Sequence, residues 1–411
     1  MHIGFREFVA LMAALMAINS LGLDLMLAAL PRMSESLQIA DHNGQQWIIA
    51  AYMLSFGAGQ LFYGPLADRY GRKPVLIVSL AIFAATSVVA PFAYTFQMMI
   101  VARALQGFCV ASSRVLNLSI IRDCYSGRQM ARVMSLSFIV FLSVPILAPG
   151  IGQLMLMVAP WQAIFMTLAV FAAVLTGWAA LRLPETLRPE HRRPVQPAAI
   201  ASAMREVVTC RQSIGYTIGF TALFGATMGY INSAQQLFGE AFAVPHLFGV
   251  IFTGIGTFSV VSAFVNSRII ERLGTRVVSH SALVSVIGIS GLHLLIIRSG
   301  WETLGSFIVL QGLTAFCCVM AAPNFGAMAM QPMGHIAGTA ASTQGFITFA
   351  GAAAIGIAIS QSFDGTPLAI VAGFLLMSVT ALIVVLITER GRLFQRQEAT
   401  EILPLAESTS G

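Results

Sequence analysis

The sequence has little charge and almost no lysine. Of its 411 residues, 10% are charged and 57% are hydrophobic, whereas soluble domains carry about 25% charged residues. Such a chain cannot cover its core with polar surface, which excludes an ordinary soluble enzyme and makes a lipid bilayer the expected solvent. Lysine occurs once, as Lys73, and the net charge of +6 comes from dispersed arginines. Nucleic acid is therefore not an expected partner.

Motifs for metal, redox and nucleotide chemistry are also missing. No G-x-x-x-x-G-K-[ST] loop occurs, so ATP is not the expected energy source. One intramembrane acid and dispersed histidines cannot supply the three protein ligands of a catalytic zinc, so we expect no enzyme, no metal and no organic cofactor. A single chain of two unequal halves also lacks the ring of carbonyls or charges of a channel filter. Neither a C-x-x-C pair nor a disulfide spacing is formed by Cys109, Cys124, Cys210, Cys317 and Cys318.

Long apolar stretches fill most of the chain. A spanning helix needs about 20 apolar residues. Twelve stretches meet this requirement: 7–30, 47–66, 74–93, 97–120, 131–156, 161–182, 213–236, 247–268, 277–297, 303–325, 337–361 and 366–388. They predict an all-α membrane protein with 12 transmembrane helices in two pseudo-symmetric six-helix bundles.

The positions of the cations predict the orientation, because Lys and Arg accumulate in cytoplasmic loops. With the N-terminus inside, 19 of the 23 cations lie in cytoplasmic segments, and Arg32 and Arg298 lie outside. The remaining two, Arg103 and Arg114, lie within the fourth span. The sequence therefore predicts that both termini are cytoplasmic.

The longest polar stretch divides the chain into two halves. Residues 184–212 are predicted to form a cytoplasmic linker with a short surface helix. It joins an N-terminal bundle (1–183) to a C-terminal bundle (213–388), which a cytoplasmic tail (389–411) follows. The pattern of residues 68–73, DRYGRK, recurs as ERLGTR at an offset of 203 residues. Two related halves around a midplane cavity are the architecture that alternating access requires.

The loop after the second span reads GPLADRYGRKP over residues 64–74. It resembles the G-x-L-A-D-R-x-G-R-[KR] signature of the major facilitator superfamily of transporters. A charged cytoplasmic turn would explain the arginines, but not the glycines and the acid in register. The resemblance implies a conformational latch at the cytoplasmic ends of the two halves, in which Asp68 faces a helix N-terminus. The implied latch residues are Gly64, Asp68, Arg69, Gly71 and Arg72.

Asp24 is the only one of the 17 acidic residues that lies well inside a predicted span. Residues 24–31, DLMLAALP, resemble the D-x-x-L-P-A-L-P motif of drug:H+ antiporters of the Bcr/CflA type. Arg103, Gln106 and Gly107 resemble the R-x-x-Q-G pattern of proton-coupled members. Asp24 and Arg103 both lie about six residues, some 9 Å, below the outer surface, which permits an ion pair. Burial and a guanidinium act in opposite directions on a carboxylate, so this pair is predicted to couple protons. The alternative is a fixed salt bridge that only neutralises Arg103.

The fifth span contains two prolines and two glycines within residues 144–153, VPILAPGIGQ. A helix with this composition is expected to be kinked and closely packed. The stretch resembles the antiporter motif G-P-x-x-G-G, although Ala148 replaces its first glycine, Gln153 its last, and Val144 an upstream glycine. The resemblance implies export, with motif residues Pro145, Pro149, Gly150 and Gly152.

Amide and aromatic side chains are predicted to line the cavity. An arginine within the bilayer costs at least about 2.5 kcal/mol unless it faces a cavity or a partner, and Arg114 either lines the cavity or snorkels to the inner interface. Each aromatic could instead serve packing or lipid contact. The predicted set is Tyr52, Phe56, Gln106, Arg114, Asn117, Phe138, Phe141, Phe224, Tyr230, Asn232, Gln235, Gln236, Gln344 and Phe349, with Phe252 and Gln311 as further candidates.

These features predict a proton-coupled secondary transporter that exports hydrophobic or amphipathic small molecules, as in multidrug efflux by drug:H+ antiport. Protons are the coupling ion. The alternative is export of a metabolite, such as an amino acid, a sugar or a siderophore, by the same fold. We expect a monomeric, multi-pass protein in a bacterial inner membrane, with the lipid bilayer and a small-molecule substrate as its partners.

Overall fold

The computed structural model describes residues 3–187, 190 and 197–394. Within these residues the protein is entirely helical, with fourteen α-helices and no β-strand. The helices are α1 (Phe5–Asp24), α2 (Leu30–Ser36), α3 (Gln46–Tyr70), α4 (Arg72–Val89), α5 (Phe96–Cys124), α6 (Gly127–Val158), α7 (Gln162–Arg182), α8 (Pro197–Thr209), α9 (Arg211–Gln236), α10 (Phe248–Leu273), α11 (Thr275–Arg298), α12 (Leu304–Met330), α13 (Ala337–Gln361) and α14 (Leu368–Thr388).

The apolar composition of these helices confirms a multi-pass membrane protein. Nine helical segments of the described residues are long and apolar enough to cross a membrane, and one of them, Leu304–Gln361, contains both α12 and α13. Each of the twelve predicted spans overlaps a helix of at least 18 residues. How many of these helices cross the bilayer, and on which side the termini lie, stay predictions.

The first predicted span is broken rather than continuous. Helix α1 ends at Asp24, a 3-10 turn covers Leu27–Ala29, and α2 begins at Leu30. Pro31 lies in the first turn of α2, where it cannot donate the backbone hydrogen bond that would continue α1. The predicted span 7–30 lies within one apolar segment, Phe5–Ser36, but its helix is interrupted. The break leaves the last carbonyl groups of α1 without helical partners.

The N-terminal helices, α1 to α7, pack mainly on one another, and so do the C-terminal helices, α9 to α14. Contacts between these two sets are concentrated in two pairs, α3 with α13 and α6 with α10. Glycines allow a close approach in both pairs. A Cβ atom at Gly57 would lie 2.7 Å from the backbone nitrogen of Ala350, and one at Gly249 would lie 2.8 Å from the Cα of Gly150.

The repeated loop has the same backbone conformation in both copies. Gly71 ends α3 with φ 103° and ψ 155°, and Gly274 ends α10 with φ 82° and ψ 156°. This conformation is essentially restricted to glycine. The repeat in the sequence therefore corresponds to a repeat in the structure.

Some of the predictions fall outside the described residues. The predicted linker contains α8, but its residues 188–189 and 191–196 are not described, and neither is the tail from residue 395. The side chains of Phe138 and Phe141, two predicted cavity residues, also lie outside the description.

Candidate functional site

Asp24 is the last residue of α1 and lies directly before the helix break. It is buried, with 4% of the residue exposed. Within the described residues its carboxylate has no hydrogen-bond partner. A buried carboxylate without such partners is costly as an anion, so this position is suited to binding a proton.

Arg103 of α5 is completely buried and reaches two other helices. Its Nη2 donates to the carbonyl oxygen of Gly22 at 2.8 Å, and its Nη1 donates to Oε1 of Gln106 at 2.8 Å. Its Nε lies 3.5 Å from the carbonyl oxygen of Ile48, and the guanidinium carbon lies 4.2 Å from the centre of the Tyr52 ring. Carbonyl groups, one amide and an aromatic face therefore surround this charge.

The expected ion pair between Asp24 and Arg103 is not formed. The two residues do lie at a similar height within the bundle, since Arg103 binds the carbonyl of Gly22, two residues before Asp24. In an unbroken helix the amide of residue 26 would bind that carbonyl, but the break leaves it for Arg103. The guanidinium thus donates three hydrogen bonds to carbonyl and amide oxygens, and no salt bridge joins it to Asp24 within the described residues.

The stretch of α6 that resembles the antiporter motif packs directly on the break in α1. A Cβ atom at Gly152 would overlap the carbonyl oxygen of Leu25. Only glycine lets the two backbones approach so closely. Gly150, one of the other motif residues, faces α10 instead, against Gly249. The motif therefore lies at a junction of α1, α6 and α10.

Gln153, where the sequence departs from the motif, links α6 to the start of α10. Its Oε1 accepts the amide hydrogen of Gly249 at 2.6 Å, in the first turn of α10. Its Nε2 donates to the carbonyl oxygens of Pro245 and His246 at 3.1 and 2.9 Å. The departure thus adds a cap to a helix that lacks its own side-chain cap.

Four amide side chains join the two sets of helices where α3 begins and α9 and α13 end; they are Asn43, Gln46, Gln236 and Gln361. Gln46 Nε2 donates to Gln236 Oε1 at 2.7 Å, and Gln361 Nε2 donates to Gln46 Oε1 at 3.0 Å. Gln236 Nε2 donates to Asn43 Oδ1 at 3.2 Å. Asn43 Nδ2 binds the carbonyl oxygens of Gln361 and Phe363 at 3.1 and 3.0 Å. We call this set the amide network.

The amide network was missed by sequence reasoning, except that Gln236 was assigned to the cavity. All its bonds between the two sets join residues that are far apart in the chain. The only local signal was the presence of amides in the first and last turns of apolar helices. The network holds the two sets of helices together at this end of the molecule. Gln236 is part of this network.

The loop that resembles the family signature is bound within the N-terminal helices. Asp68 Oδ1 lies 2.6 Å from Nη1 of Arg72, and Arg72 Nε lies 3.3 Å from Oδ2 of Asp123. Glu185 accepts the backbone amides of Arg72 and Lys73 at 3.0 and 3.3 Å. Glu185 is therefore the carboxylate that faces the N-terminus of α4, whereas Asp68 lies one helical turn before Arg72 and binds its side chain.

Two other latch residues have different surroundings. The guanidinium of Arg69 lies 5.1 Å from the ring centre of its neighbour Tyr70. A Cβ at Gly64 would lie 3.4 Å from Oγ of Ser342 in α13. Gly64 thus lies where α3 meets the C-terminal helices.

Arg114 of α5 faces the C-terminal helices. Its guanidinium carbon lies 4.7 Å from the ring centre of Phe349 in α13. Phe349 in turn makes edge-to-face contacts with Phe56 at 4.9 Å and with Phe224 at 5.5 Å. The guanidinium of Arg114 therefore lies at the contact of α5 with α13, and its assignment to the cavity stays a prediction.

Three predicted cavity amides hold helices of one set together. Gln106 donates to Ser87 Oγ at 2.8 Å, Asn117 donates to the carbonyl of Met12 at 2.7 Å, and Gln344 donates to Ser213 Oγ at 2.9 Å. All three are buried. Their contacts in this conformation are interhelical, because a buried amide takes the polar partner that its packing brings within reach.

Other predicted cavity residues carry buried polar atoms without a partner in the described part of the chain. On α9 these are Tyr230 Oη, Asn232 Oδ1 and Gln235 Oε1, and on α12 Gln311 Nε2. The Tyr230 ring stacks on Phe252 at 5.8 Å. Buried polar atoms in folded proteins are usually hydrogen-bonded, so these positions are suited to polar groups of a ligand.

Three features are typical of a multi-pass membrane transporter. They are the long apolar helices, the buried acid at a helix break and the two closely packed helix pairs. The chain belongs to the Major Facilitator Superfamily, whose family model matches residues 12–358. This confirms the resemblance that its motifs indicated. With its bacterial relatives and apolar helices, it is a multi-pass protein of the bacterial inner membrane.

Several curated proteins are similar to this chain. An uncharacterized MFS-type transporter of Bacillus subtilis, YdgK, is 27% identical over 82% of this chain and 84% of its own length. A bicyclomycin resistance protein homolog of Haemophilus influenzae is 26% identical over 86% of this chain and 89% of its own length. Multidrug resistance protein MdtL of Escherichia coli O157:H7 is 33% identical over 47% of this chain and 48% of its own length.

One solved structure shares the fold. The crystal structure of the human organic anion transporter MFSD10 superposes with a TM-score of 0.69 over 94% of this chain and 100% of that chain. Its sequence is 19% identical. This likeness establishes the fold alone.

Proposed function

We propose that this protein is a proton-coupled antiporter that exports hydrophobic or amphipathic small molecules. The observation that carries the proposal is Asp24, a buried carboxylate at the break in α1, two residues after the carbonyl that Arg103 binds. Relatives named for bicyclomycin and multidrug resistance support drug-like cargo. The protein acts as a transporter and not as an enzyme.

In this proposal twelve long helices span the bilayer as two bundles, 1–183 and 213–388, joined by the linker 184–212 and followed by the tail 389–411. Both termini are cytoplasmic, which the distribution of arginine supports. The amide network then lies at the periplasmic end. The described conformation is closed toward the periplasm, and opening it requires α3 to separate from α13 and α6 from α10.

Proton binding at Asp24 is coupled to helix packing through Arg103. An ionised Asp24 attracts the guanidinium and competes with the carbonyl of Gly22 for it. Protonation cancels this attraction and leaves Arg103 bound to α1, α3 and Gln106, as in this structure. The protonation state of Asp24 therefore decides which of two arrangements of α1, α3 and α5 is favoured. Alternating access needs such a coupling between proton binding and helix arrangement.

The test is Asp24→Asn, which keeps the shape of the side chain but cannot exchange a proton. We expect the variant to be expressed and monodisperse, to release no protons when bicyclomycin is added to purified protein in weak buffer, and to lose uphill transport in vesicles. A wild-type protein that exchanges one proton per cargo gains about tenfold accumulation per pH unit. Glu35→Gln, an exposed acid in α2, is the matched control and should behave as wild type.

Uphill export by Asp24→Asn at an imposed pH gradient would contradict the proposal. If the wild type exports none of the drug-like probes, but exports an amino acid, a sugar or a siderophore in exchange for protons, the same mechanism serves a metabolite.

A further inference from the structure

A histidine joins the two sets of helices beside the amide network. His42 lies in the loop between α2 and α3, and its Nε2 is 3.2 Å from Oε2 of Glu240. Glu240 belongs to a π-helical turn, Leu237–Ala241, that follows α9. The imidazole also lies parallel to the ring of Phe363 beyond α13, with 6.5 Å between the ring centres. One side chain of the N-terminal set thus contacts two residues of the C-terminal set.

The backbone of His42 is held in the same contact between the two sets. Its carbonyl oxygen accepts a hydrogen bond from Gln236 Nε2 at 3.0 Å, and the next residue, Asn43, belongs to the amide network. The pair of His42 and Glu240 can therefore form only while the two sets are in contact at this end. About half of each side chain stays exposed, 57% for His42 and 42% for Glu240, so a proton from solution can reach the pair.

The charged groups around His42 are acidic. Asp41 precedes it in its own loop, Asp364 follows the stacked phenylalanine, and Glu240 faces it from the turn after α9. One more titratable group, His246, lies in the turn Pro245–Leu247, which packs on the turn of Glu240. No lysine or arginine of the described residues forms an ion pair with Glu240. The carboxylate of Glu240 is therefore compensated mainly by His42, when that imidazole is protonated.

We propose that His42 is a second proton-binding site, separate from Asp24, and that its protonation holds the two sets of helices together at this end. An imidazole changes its charge between about pH 5 and pH 8. When protonated, it carries a full charge that the carboxylate of Glu240 attracts, whereas a neutral imidazole offers only one N–H donor. The added stability of the closed conformation is therefore present at about pH 5 and is lost as the pH rises toward 8.

The location of this end in the periplasm rests on the proposed function. In a molecule that is open to the periplasm, His42 is exposed to the compartment that supplies the protons. External acid then protonates His42 and Asp24 together, and both events favour the conformation of this structure. The step that closes the emptied transporter toward the periplasm thus gains a second dependence on external pH.

The expected effect is modest, because both side chains are partly exposed. Exposed ion pairs change an equilibrium by about 1.5- to fivefold. Spin labels at Ser36 and Ser362, exposed positions on opposite sets, report the ratio of closed to open molecules by pulsed electron paramagnetic resonance in detergent. Between about pH 5 and pH 8, this ratio should fall about 1.5- to fivefold more in the wild type than in His42→Gln or Glu240→Gln.

A second measurement serves when one conformation dominates. In protein with ¹³C-labelled histidine, Glu240→Gln should lower the pH at which His42 is half titrated by about 0.2–0.7. High salt should reduce both effects, because it screens exposed charges. His246→Gln is the matched control, since His246 is an exposed histidine at the same end, and this variant should behave as wild type.

A wild type in which neither measurement shows the effect, or a pH-dependent ratio that survives unchanged in folded His42→Gln, would overturn the inference. Export that still requires Asp24 would then show that the proposed function stands. Conversely, a protein that exports nothing against a pH gradient, but whose closed conformation depends on His42 and pH, would refute the proposed function and leave the proton site in place.

Discussion

Removing one side chain of the amide network should let the N-terminal and C-terminal helices separate at the end of the molecule where the network joins them. Asn43 makes three side-chain hydrogen bonds to the C-terminal helices, two as donor to the carbonyls of Gln361 and Phe363 and one as acceptor from Gln236. They can form only while the two sets of helices are in contact. Asn43→Ala therefore destabilises the closed conformation without an equal effect on the open one.

The size of the effect follows from the number of bonds. A hydrogen bond contributes about 0.5–1.5 kcal/mol net, so three such bonds amount to about 1.5–4.5 kcal/mol. Since about 1.4 kcal/mol corresponds to a factor of ten, the ratio of closed to open molecules should fall by about tenfold to about a thousandfold. A shift of this size can convert a minor open population into the major one.

The populations can be measured by pulsed electron paramagnetic resonance between spin labels at Ala40 and Ser362, two exposed positions on opposite sets of helices. The labels are attached to cysteines in a background without the five native ones. The distance distribution of Asn43→Ala should gain a longer component. Gln45→Ala is the matched control, because Gln45 is buried in the same turn but its Oε1 has no partner. Identical distributions for the wild type and both variants would refute the reasoning.

Two further predictions concern the packing of α6 and the latch. Gly152→Ala should lower the melting temperature in detergent and impair transport, because its Cβ would overlap the carbonyl oxygen of Leu25, a type of overpacking that costs about 1–3 kcal/mol. Gly150→Ala, whose Cβ would lie 3.7 Å from the nearest side-chain atom, should be tolerated, and equal effects of the two would contradict this account. Asp68→Asn should lower turnover with little change in cargo affinity or melting temperature, because the Asp68 side chain is 47% exposed and Arg72 keeps its ion pair with Asp123. Binding lost in proportion to transport would mean that Asp68 is a folding determinant.

The helices themselves could be predicted from the sequence. A stretch of about 20 apolar residues in a bilayer must satisfy its backbone hydrogen bonds internally, and a helix is the simplest way to do so. The repeated loop could also be predicted from the sequence, because Gly71 and Gly274 adopt a backbone conformation that is essentially restricted to glycine. These features depend on residues close together in the chain.

The direction of each polar side chain could not be predicted in the same way. Gln106, Asn117 and Gln344 were assigned to the cavity by residue type and depth, yet they bind helices of their own set. An amide that faces a neighbouring helix and one that faces a cavity look alike in the sequence. Which of the two applies depends on the packing of other helices around it.

The sequence by itself predicted that Asp24 and Arg103 lie at a similar height along their helices, since residue number along a helix converts to height at about 1.5 Å per residue. Only the tertiary structure decided their partners. The break after Asp24 freed the carbonyl of Gly22, and Arg103 binds it in place of the acid. Likewise, the amide network joins residues 190 to 318 positions apart. Contacts over such separations form only when whole helices pack, so no local pattern specifies them.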